Sequence, residues 1–219
     1  MMEFDFGALR RMDRSKLIIS TIVPRPIGLV TSISDDGVVN AAPYSFFNGM
    51  SSEPPLVVLG LERYGHAMNK DTGDNIVANG EFVVNLVSEH MADAMNITAI
   101  TFPPDVDELA KAGLTAMDSK RIKPPYIAES PVAFECVATE ILDVGEQNQI
   151  VVGEVLHMHI DDKYVDTEKM YVDTPALNLI GRMHGGGWYA RTTDLFELNR
   201  IPLEDWDAQE TAPEKGDAA

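Results

Sequence analysis

One cysteine, Cys136, occurs in 219 residues, so no disulfide can form within the chain. A disulfide-stapled secreted scaffold is thereby excluded. Basic residues are scarce: 17 Lys and Arg stand against 35 Asp and Glu, a formal charge of −18. A surface that acidic repels nucleic-acid phosphates and anionic headgroups, so neither nucleic acid nor a membrane is an expected partner. One basic pocket for a single phosphate remains compatible, because net charge governs long-range attraction rather than one site. No run of 18 apolar residues is present, as a bilayer-spanning helix requires. The first residues carry Glu3, Asp5 and Asp13, without the basic start and apolar core of a secretion signal. A cytoplasmic location is expected. Internal repeats, low-complexity segments and a G-x-x-x-x-G-K-[ST] loop are all missing.

What is present is globular: 45% hydrophobic and 24% charged residues exclude disorder of the whole chain. The sequence divides into an N-terminal helix or arm (1–16), one domain (17–203) and an acidic tail (204–219). The tail holds six acids against Lys215 alone and is expected to be flexible. Within the domain, strand signals dominate. Gly28–Ser34 reads as a strand, Asp35-Asp36-Gly37 as a tight turn, and Val38-Val39-Asn40 as the start of the partner strand. Leu56–Leu61, Glu81–Val87, Val132–Leu142, Gln149–Ile160 and Thr192–Leu198 are further strand candidates. In Gln149–Ile160, residues Ile150, Val152, Leu156, Met158 and Ile160 alternate, which predicts that they share the buried face. Helices are predicted from Asp71 to about Asn79 with Gly80 as the stop, over Glu89–Ile100, and over Asp107–Ala112 ended by Gly113. Strands do not alternate regularly with helices. The expected class is therefore mainly β with peripheral helices, an antiparallel barrel rather than a doubly wound sheet.

Motifs with chemistry are few. Gly185-Gly186-Gly187-Trp188-Tyr189-Ala190 matches G-x-G-x-x-A literally, but no strand-to-helix turn surrounds it, so a glycine-permitted loop is the better reading. His157 and His159 share a strand face and could chelate. No third His, Cys or carboxylate lies at a recognised spacing, so no metal is expected. Cys136 sits in an apolar strand and reads as a buried small hydrophobe. Asn40–Pro55 brings small residues, aromatics and hydroxyls together. It could bind a planar ligand edge-on through its backbone, or form a long surface loop with an aromatic plug. At Lys70-Asp71-Thr72 an ammonium and a hydroxyl fall at a helix N-terminus, where a phosphate is favoured. The plainer alternative is an Asp71 cap with Lys70 in solvent. Gly181-Arg182-Met183-His184 leads into the three glycines and reads as a mobile polar lid or a loop closing the barrel.

Taken in order, these stretches resemble the flavin reductase-like, FMN-binding split-barrel family. The resemblance is carried by Pro24-Arg25-Pro26-Ile27 leading into Val30-Thr31-Ser32, by Asp36-Gly37, and by Asn40-Ala41-Ala42-Pro43-Tyr44-Ser45-Phe46-Phe47. Ser51-Ser52-Glu53-Pro54-Pro55, Lys70-Asp71-Thr72, Phe82–Leu86, Gly153-Glu154-Val155 and Gly181–Tyr189 complete it. Pro-Arg-Pro-Ile and Lys-Asp-Thr look closest to the flavoredoxin-like members. The resemblance implies a Greek-key split barrel and a homodimer with FMN near the subunit interface. It implies a flavin ring against Ala42, Pro43, Tyr44 and Ser45, with Thr31 and Ser32 nearby, and a phosphate near Ser51, Ser52, Lys70 and Thr72. His184 would lie beside flavin and nicotinamide, and Arg182 would hold the nucleotide or its loop. The implied activity is reduction of flavin by NADH or NADPH. A flavoredoxin-type electron carrier with a protein redox partner, and a non-catalytic binding module, are the alternatives.

Overall fold

A computed structural model describes residues 1–62, 71–103, 105–203 and 206. Its elements are α1 (Arg11–Thr21), β1 (Arg25–Pro26), β2 (Gly28–Ile33), β3 (Val39–Tyr44), β4 (Phe47–Ser52), β5 (Pro55–Glu62), α2 (Asp71–Asn79), β6 (Glu81–Leu86), α3 (Ala92–Thr98) and α4 (Glu108–Ala112). There follow β7 (Ala116–Met117), β8 (Tyr126–Ile127), β9 (Val132–Val144), β10 (Asn148–Ile160), β11 (Val165–Asp166), β12 (Tyr171–Val172), β13 (Ile180–Arg182) and β14 (Tyr189–Arg191). Among the described residues, no helix is long and apolar enough to cross a membrane.

Local chemistry explains many of these elements. Gly37 adopts φ +83° in the β2–β3 turn, where its N–H donates to the Ser34 carbonyl at 3.0 Å. A left-handed residue in a two-strand turn favours glycine. Helix α2 stops at Gly80, and α4 is capped by the Asp107 carboxylate, which accepts the Ala110 N–H at 3.0 Å. The expected Glu89–Ile100 helix is split into a 3-10 turn (Glu89–Met91) followed by α3.

Seven strands form one antiparallel sheet in the order β3-β2-β6-β9-β10-β5-β4. Its two edges, β3 and β4, are joined by Ser45 and Phe46 alone. Phe46 packs on Gly60 of β5, whose N–H donates to the Phe46 carbonyl at 2.7 Å. The chain thus leaves one edge and at once becomes the other, yet β3 and β4 do not pair. The expected barrel is corrected accordingly: the sheet is not closed by hydrogen bonds.

Both faces of the sheet are covered. One core gathers Val30, Phe47, Leu59, Phe82, Cys136 and Val151. The other places Leu29, Ala41 and Ile127 against Met91, Met95 and Leu109 from the helical segments. Strand β2 is therefore buried on both sides, and its polar residues Thr31 and Ser32 are buried along with Leu29 and Val30.

Three expectations change. In β10 the buried residues are Gln149, Val151 and Gly153, whereas Leu156 and Met158 are exposed. Gln149 and Val151 face the core before any irregularity, so Ile150 and Val152 lie on the opposite, half-buried face. The shift between Val152 and Gly153 places its extra residue, Thr139, on β9, whereas the shift between Val155 and His157 makes Leu156 an extra residue of β10 and puts Met158 out of phase with Ile150 and Val152. Asn40–Pro55 is not a long loop but strand β3, a two-residue link and strand β4. Thr192–Leu198 forms no strand; the last strand is Tyr189–Arg191, paired with β13. At the N-terminus, α1 runs across the expected boundary at residue 16, and none of its residues is buried. The acidic tail lies outside the described residues except for Trp206.

Candidate functional site

Arg25 organises the site. It is 6% exposed, and its guanidinium makes four hydrogen bonds to three segments. Nη1 donates to the carbonyls of Ile19 (2.6 Å) and Ile22 (2.8 Å) at the end of α1. Nη2 donates to the Met183 carbonyl at 2.8 Å, and Nε to the Ser45 hydroxyl at 3.3 Å. All four acceptors are uncharged. Burial, and then the nearby charge of Arg182, pull the Arg25 pKa below its ordinary value.

Arg182 is the cross-strand partner of Arg25 in the β1–β13 ladder. Close approach of these strands depends on Gly181, where an added Cβ would stand 2.8 Å from the Cβ of Pro24. The Arg182 guanidinium lies over the Tyr189 ring at 4.7 Å. Its Nη1 is buried with no hydrogen-bond partner among the described residues. Two guanidiniums held together, one with an orphaned N–H group, are a donor set suited to an anion.

His184 follows in an exposed loop closed by the Met183 N–H, which donates to the Trp188 carbonyl at 3.0 Å. Nδ1 of His184 lies 3.0 Å from the Gly185 carbonyl oxygen, and its ring is 5.8 Å from that of Trp188. Gly186 and Gly187 hold φ near +80°, so these glycines serve a tight turn rather than a dinucleotide fingerprint. Trp188 is 62% exposed, so it is not packed beneath the loop in this chain.

A second polar cluster occupies the opposite end of the β2–β3 ladder. Asn40 donates to the Thr72 hydroxyl at 2.6 Å and to Ser32 at 3.4 Å, and Asn75 donates to Ser32 at 3.0 Å. These side chains are buried and pin the first turn of α2 to the sheet. The Thr31 hydroxyl donates to the Pro125 carbonyl at 2.5 Å and accepts from Asn85 at 3.2 Å. The hydroxyls of Thr31, Ser32 and Thr72 are thus engaged inside the protein and do not project outward. The first-turn N–H groups of α2 lack intrahelical partners, as at any helix start. Lys70 lies outside the described residues.

The remaining expected residues fall on the β3–β4 corner. Ala42, Pro43 and Ser45 are half-buried, Tyr44 is packed in the first core, and Ser51 and Ser52 are exposed at the end of β4. The Ser51 hydroxyl accepts the Glu53 N–H at 3.2 Å. The fold therefore brings Ser45, Arg182 and the His184 loop together through Arg25. It places Ser32 and Thr72 about four residues of strand away, roughly 13 Å at ~3.3 Å per residue. Two cavities, of about 560 and 470 Å³, open elsewhere, against Tyr164–Pro175 and against Tyr126 and His159. Arg25 was missed as a site residue, although its Pro-Arg-Pro setting is the signal that could have found it. Two prolines hold it in an extended segment where a lone arginine needs acceptors from elsewhere.

The donor set suits an anionic nucleotide with a flat ring: guanidiniums at one end, a half-buried strand corner of small residues, and a helix N-terminus at the other end. Comparison with known proteins agrees. The chain is 41% identical to an uncharacterized protein of Deinococcus radiodurans, over 98% of this chain and 96% of that one. It is similar to the 2-nitrobenzoate 2-nitroreductase NbaA of Pseudomonas fluorescens, at 34% identity and TM-score 0.84, covering 98% of this chain and all of that one. It is similar to nitrilotriacetate monooxygenase component B of Bacillus cereus, at 32% identity and TM-score 0.85, covering 90% and 98%. A flavoredoxin of Desulfovibrio vulgaris, at 18% identity and TM-score 0.70 over 92% and 98%, shares the fold. The sequence pattern of the flavin reductase like domain spans residues 20–184, and with it the Arg25 node and both polar clusters: the chain belongs to the flavin reductase-like family.

Proposed function

We propose that this chain is an FMN-binding oxidoreductase that takes hydride from NADH or NADPH. The observation that carries the reading is the Arg25 node, which ties the Ser45 corner to the Arg182–His184 segment. In this reading Ala42, Pro43 and Ser45 hold the edge of the flavin ring, with the Tyr44 side chain bracing the corner from the core. Ser51, Ser52, Lys70 and the first turn of α2 take the phosphate. Thr31, Ser32 and Thr72 act as positioning residues, since their hydroxyls are spent on Pro125, Asn75 and Asn40.

When bound, the flavin would supply the two-electron chemistry, as the acceptor of hydride from the nicotinamide. The chain's own contribution is to bind and orient. Arg182 offers its unpartnered Nη1 to a nucleotide phosphate. The exposed His184 borders the nicotinamide side, on a loop whose paired glycines leave that face open. No protein acid or base is obligatory for hydride transfer, which agrees with the absence of a catalytic dyad among these residues.

FMN titration of apoprotein, followed by anaerobic addition of NADH or NADPH, tests the reading. The oxidised-flavin absorption should bleach promptly. His184→Ala should slow bleaching by about tenfold or more, ~1.4 kcal/mol of transition-state stabilisation, while FMN retention changes less. Equal bleaching rates would remove His184 from its role, and a protein that takes up no FMN would overturn the whole reading.

The −18 charge favours a second reading, an electron carrier for a basic protein donor. That carrier would hold FMN yet be reduced slowly by either nucleotide. In both readings we propose a homodimer. The edge strand β4 carries the exposed Met50, and the chain beyond β14 exposes Leu195, Phe196 and Leu198. Light scattering should give twice the 24.1 kDa chain mass; a single-chain mass would refute the dimer.

A further inference from the structure

We propose that Glu135, His157 and His159 form a binding site for a zinc-class divalent cation, separate from the flavin reading and independent of it. One ligand atom from each of the three residues lies within 4.8 Å of the others. The grouping is a product of folding. Glu135 is on β9 and the histidines are on β10, two residues apart and on one face. In an unbroken ladder the Val155–Cys136 pair would be followed by His157 opposite Phe134. The register shift after Val155 makes Leu156 the extra residue, and His157 falls opposite Glu135 instead. Phe134 packs against the first core, whereas Glu135 points to the other face. The bulge therefore turns both imidazoles away from the core and toward the carboxylate.

The three groups are held in place by neighbours. Glu135 is fully buried. Its Oε1 accepts the Lys120 N–H at 2.7 Å and faces His159 Nε2 at 2.5 Å, and its Oε2 accepts the Arg121 N–H at 2.7 Å. The Tyr126 ring stacks on His159 with centroids 4.0 Å apart and planes 15° from parallel. The two histidine rings meet edge-on, 4.9 Å between centroids. Outer contacts that orient a carboxylate and an imidazole are what a metal site needs beyond its ligands. Two nitrogens and one oxygen suit zinc, whose bonds run ~2.0–2.2 Å and whose fourth position a water can fill. Room for that water is at hand: the cavity of about 470 Å³ opens against Tyr126, Met158, His159 and Asp161. The cation would enter between His159 and Glu135, replace their direct contact, and clamp the Lys120–Tyr126 segment to the β9–β10 hairpin.

Calorimetric titration of the metal-stripped, full-length protein with Zn²⁺ is the test, repeated with Co²⁺ for its visible ligand-field bands. The expected result is one equivalent per chain with Kd in the micromolar range or below, tetrahedral Co²⁺ bands abolished by Zn²⁺, and a Tm raised by Zn²⁺. His157→Ala should weaken binding at least tenfold and remove the Tm rise. Among the described residues its ring meets only that of His159, edge-on, so circular dichroism and the metal-free Tm should match those of the parent chain. His159→Ala should do the same to the metal and also lower the metal-free Tm. Absence of Co²⁺ bands, or Zn²⁺ binding that His157→Ala leaves unchanged, would overturn the proposal and reduce the cluster to a Glu135–His159 ion pair. FMN uptake is read separately in the same samples, so failure here leaves the flavin reading standing, and the reverse.

Discussion

Arg25→Ala should lower stability by about 3–5 kcal/mol and weaken FMN binding by roughly tenfold to a hundredfold. The guanidinium is the shared donor of the Ile19, Ile22 and Met183 carbonyls and of the Ser45 hydroxyl. Truncation leaves those partly buried carbonyls without their donor, and an unsatisfied group costs up to about 1–3 kcal/mol where it is fully buried. Helix α1 buries none of its own residues, so its attachment depends heavily on this contact. In a chain of this length the loss corresponds to a fall in Tm of roughly 6–20 °C. Thermal unfolding measures the first effect. Hydrogen exchange over residues 11–21 and 183–188 locates it, and FMN titration measures the second. Arg25→Lys should rescue little, because one ammonium cannot reproduce a planar fork spanning three segments. A wild-type Tm with unaltered exchange in both segments would show that Arg25 is not the node.

Gly153→Ala should also be harmful, for the opposite physical reason, crowding. A Cβ added at Gly153 would stand 2.4 Å from Cζ of Phe82 and 3.0 Å from its Cε1. Phe82 is a large, fully buried side chain in the first core, so its ring has nowhere to retreat. Overpacking of this kind costs about 1–3 kcal/mol, occasionally more. Leucine at position 82 removes the ring edge that collides. Gly153→Ala combined with Phe82→Leu should therefore be more stable than the sum of the two single losses predicts, with a coupling of about 1–3 kcal/mol. Urea denaturation of the four proteins measures that coupling. Simple additivity would mean that β10 shifts to admit the methyl group and that the close approach is not binding on the fold.

Both residues lie in stretches that carry the family resemblance, Pro24-Arg25-Pro26-Ile27 and Gly153-Glu154-Val155, yet neither motif says what the residue touches, and the same holds for much of the site. Hairpin β2–β3 was legible because Asp36-Gly37 sits between β-branched runs. Helices α2 and α4 were legible because Gly80 and Gly113 end them in left-handed conformations. Ser45, Arg182 and His184 could be grouped only through the resemblance to the family. The inward turn of the Thr31, Ser32 and Thr72 hydroxyls could not, since it depends on Asn40, Asn75, Asn85 and Pro125 arriving from other elements. The alternation in β10 pointed to the wrong face, because Gln149 and Val151 take the core side while Ile150 and Val152 are half-buried opposite, and the extra residue Leu156 breaks the period of two beyond Val155.

The amino-acid sequence by itself determined the acidic, disulfide-free class, the strand-rich core, the hairpin and helix stops, and membership of the flavin reductase-like family. Those properties rest on composition and on signals a few residues long. Only the tertiary structure decided that the sheet stays open between β3 and β4, that Arg25 joins α1, Ser45 and Met183, and that Glu135 meets His157 and His159. These depend on which strands pair, and the last on the register between β9 and β10. A single extra residue reverses that register, and no local pattern records where the extra residue is accommodated.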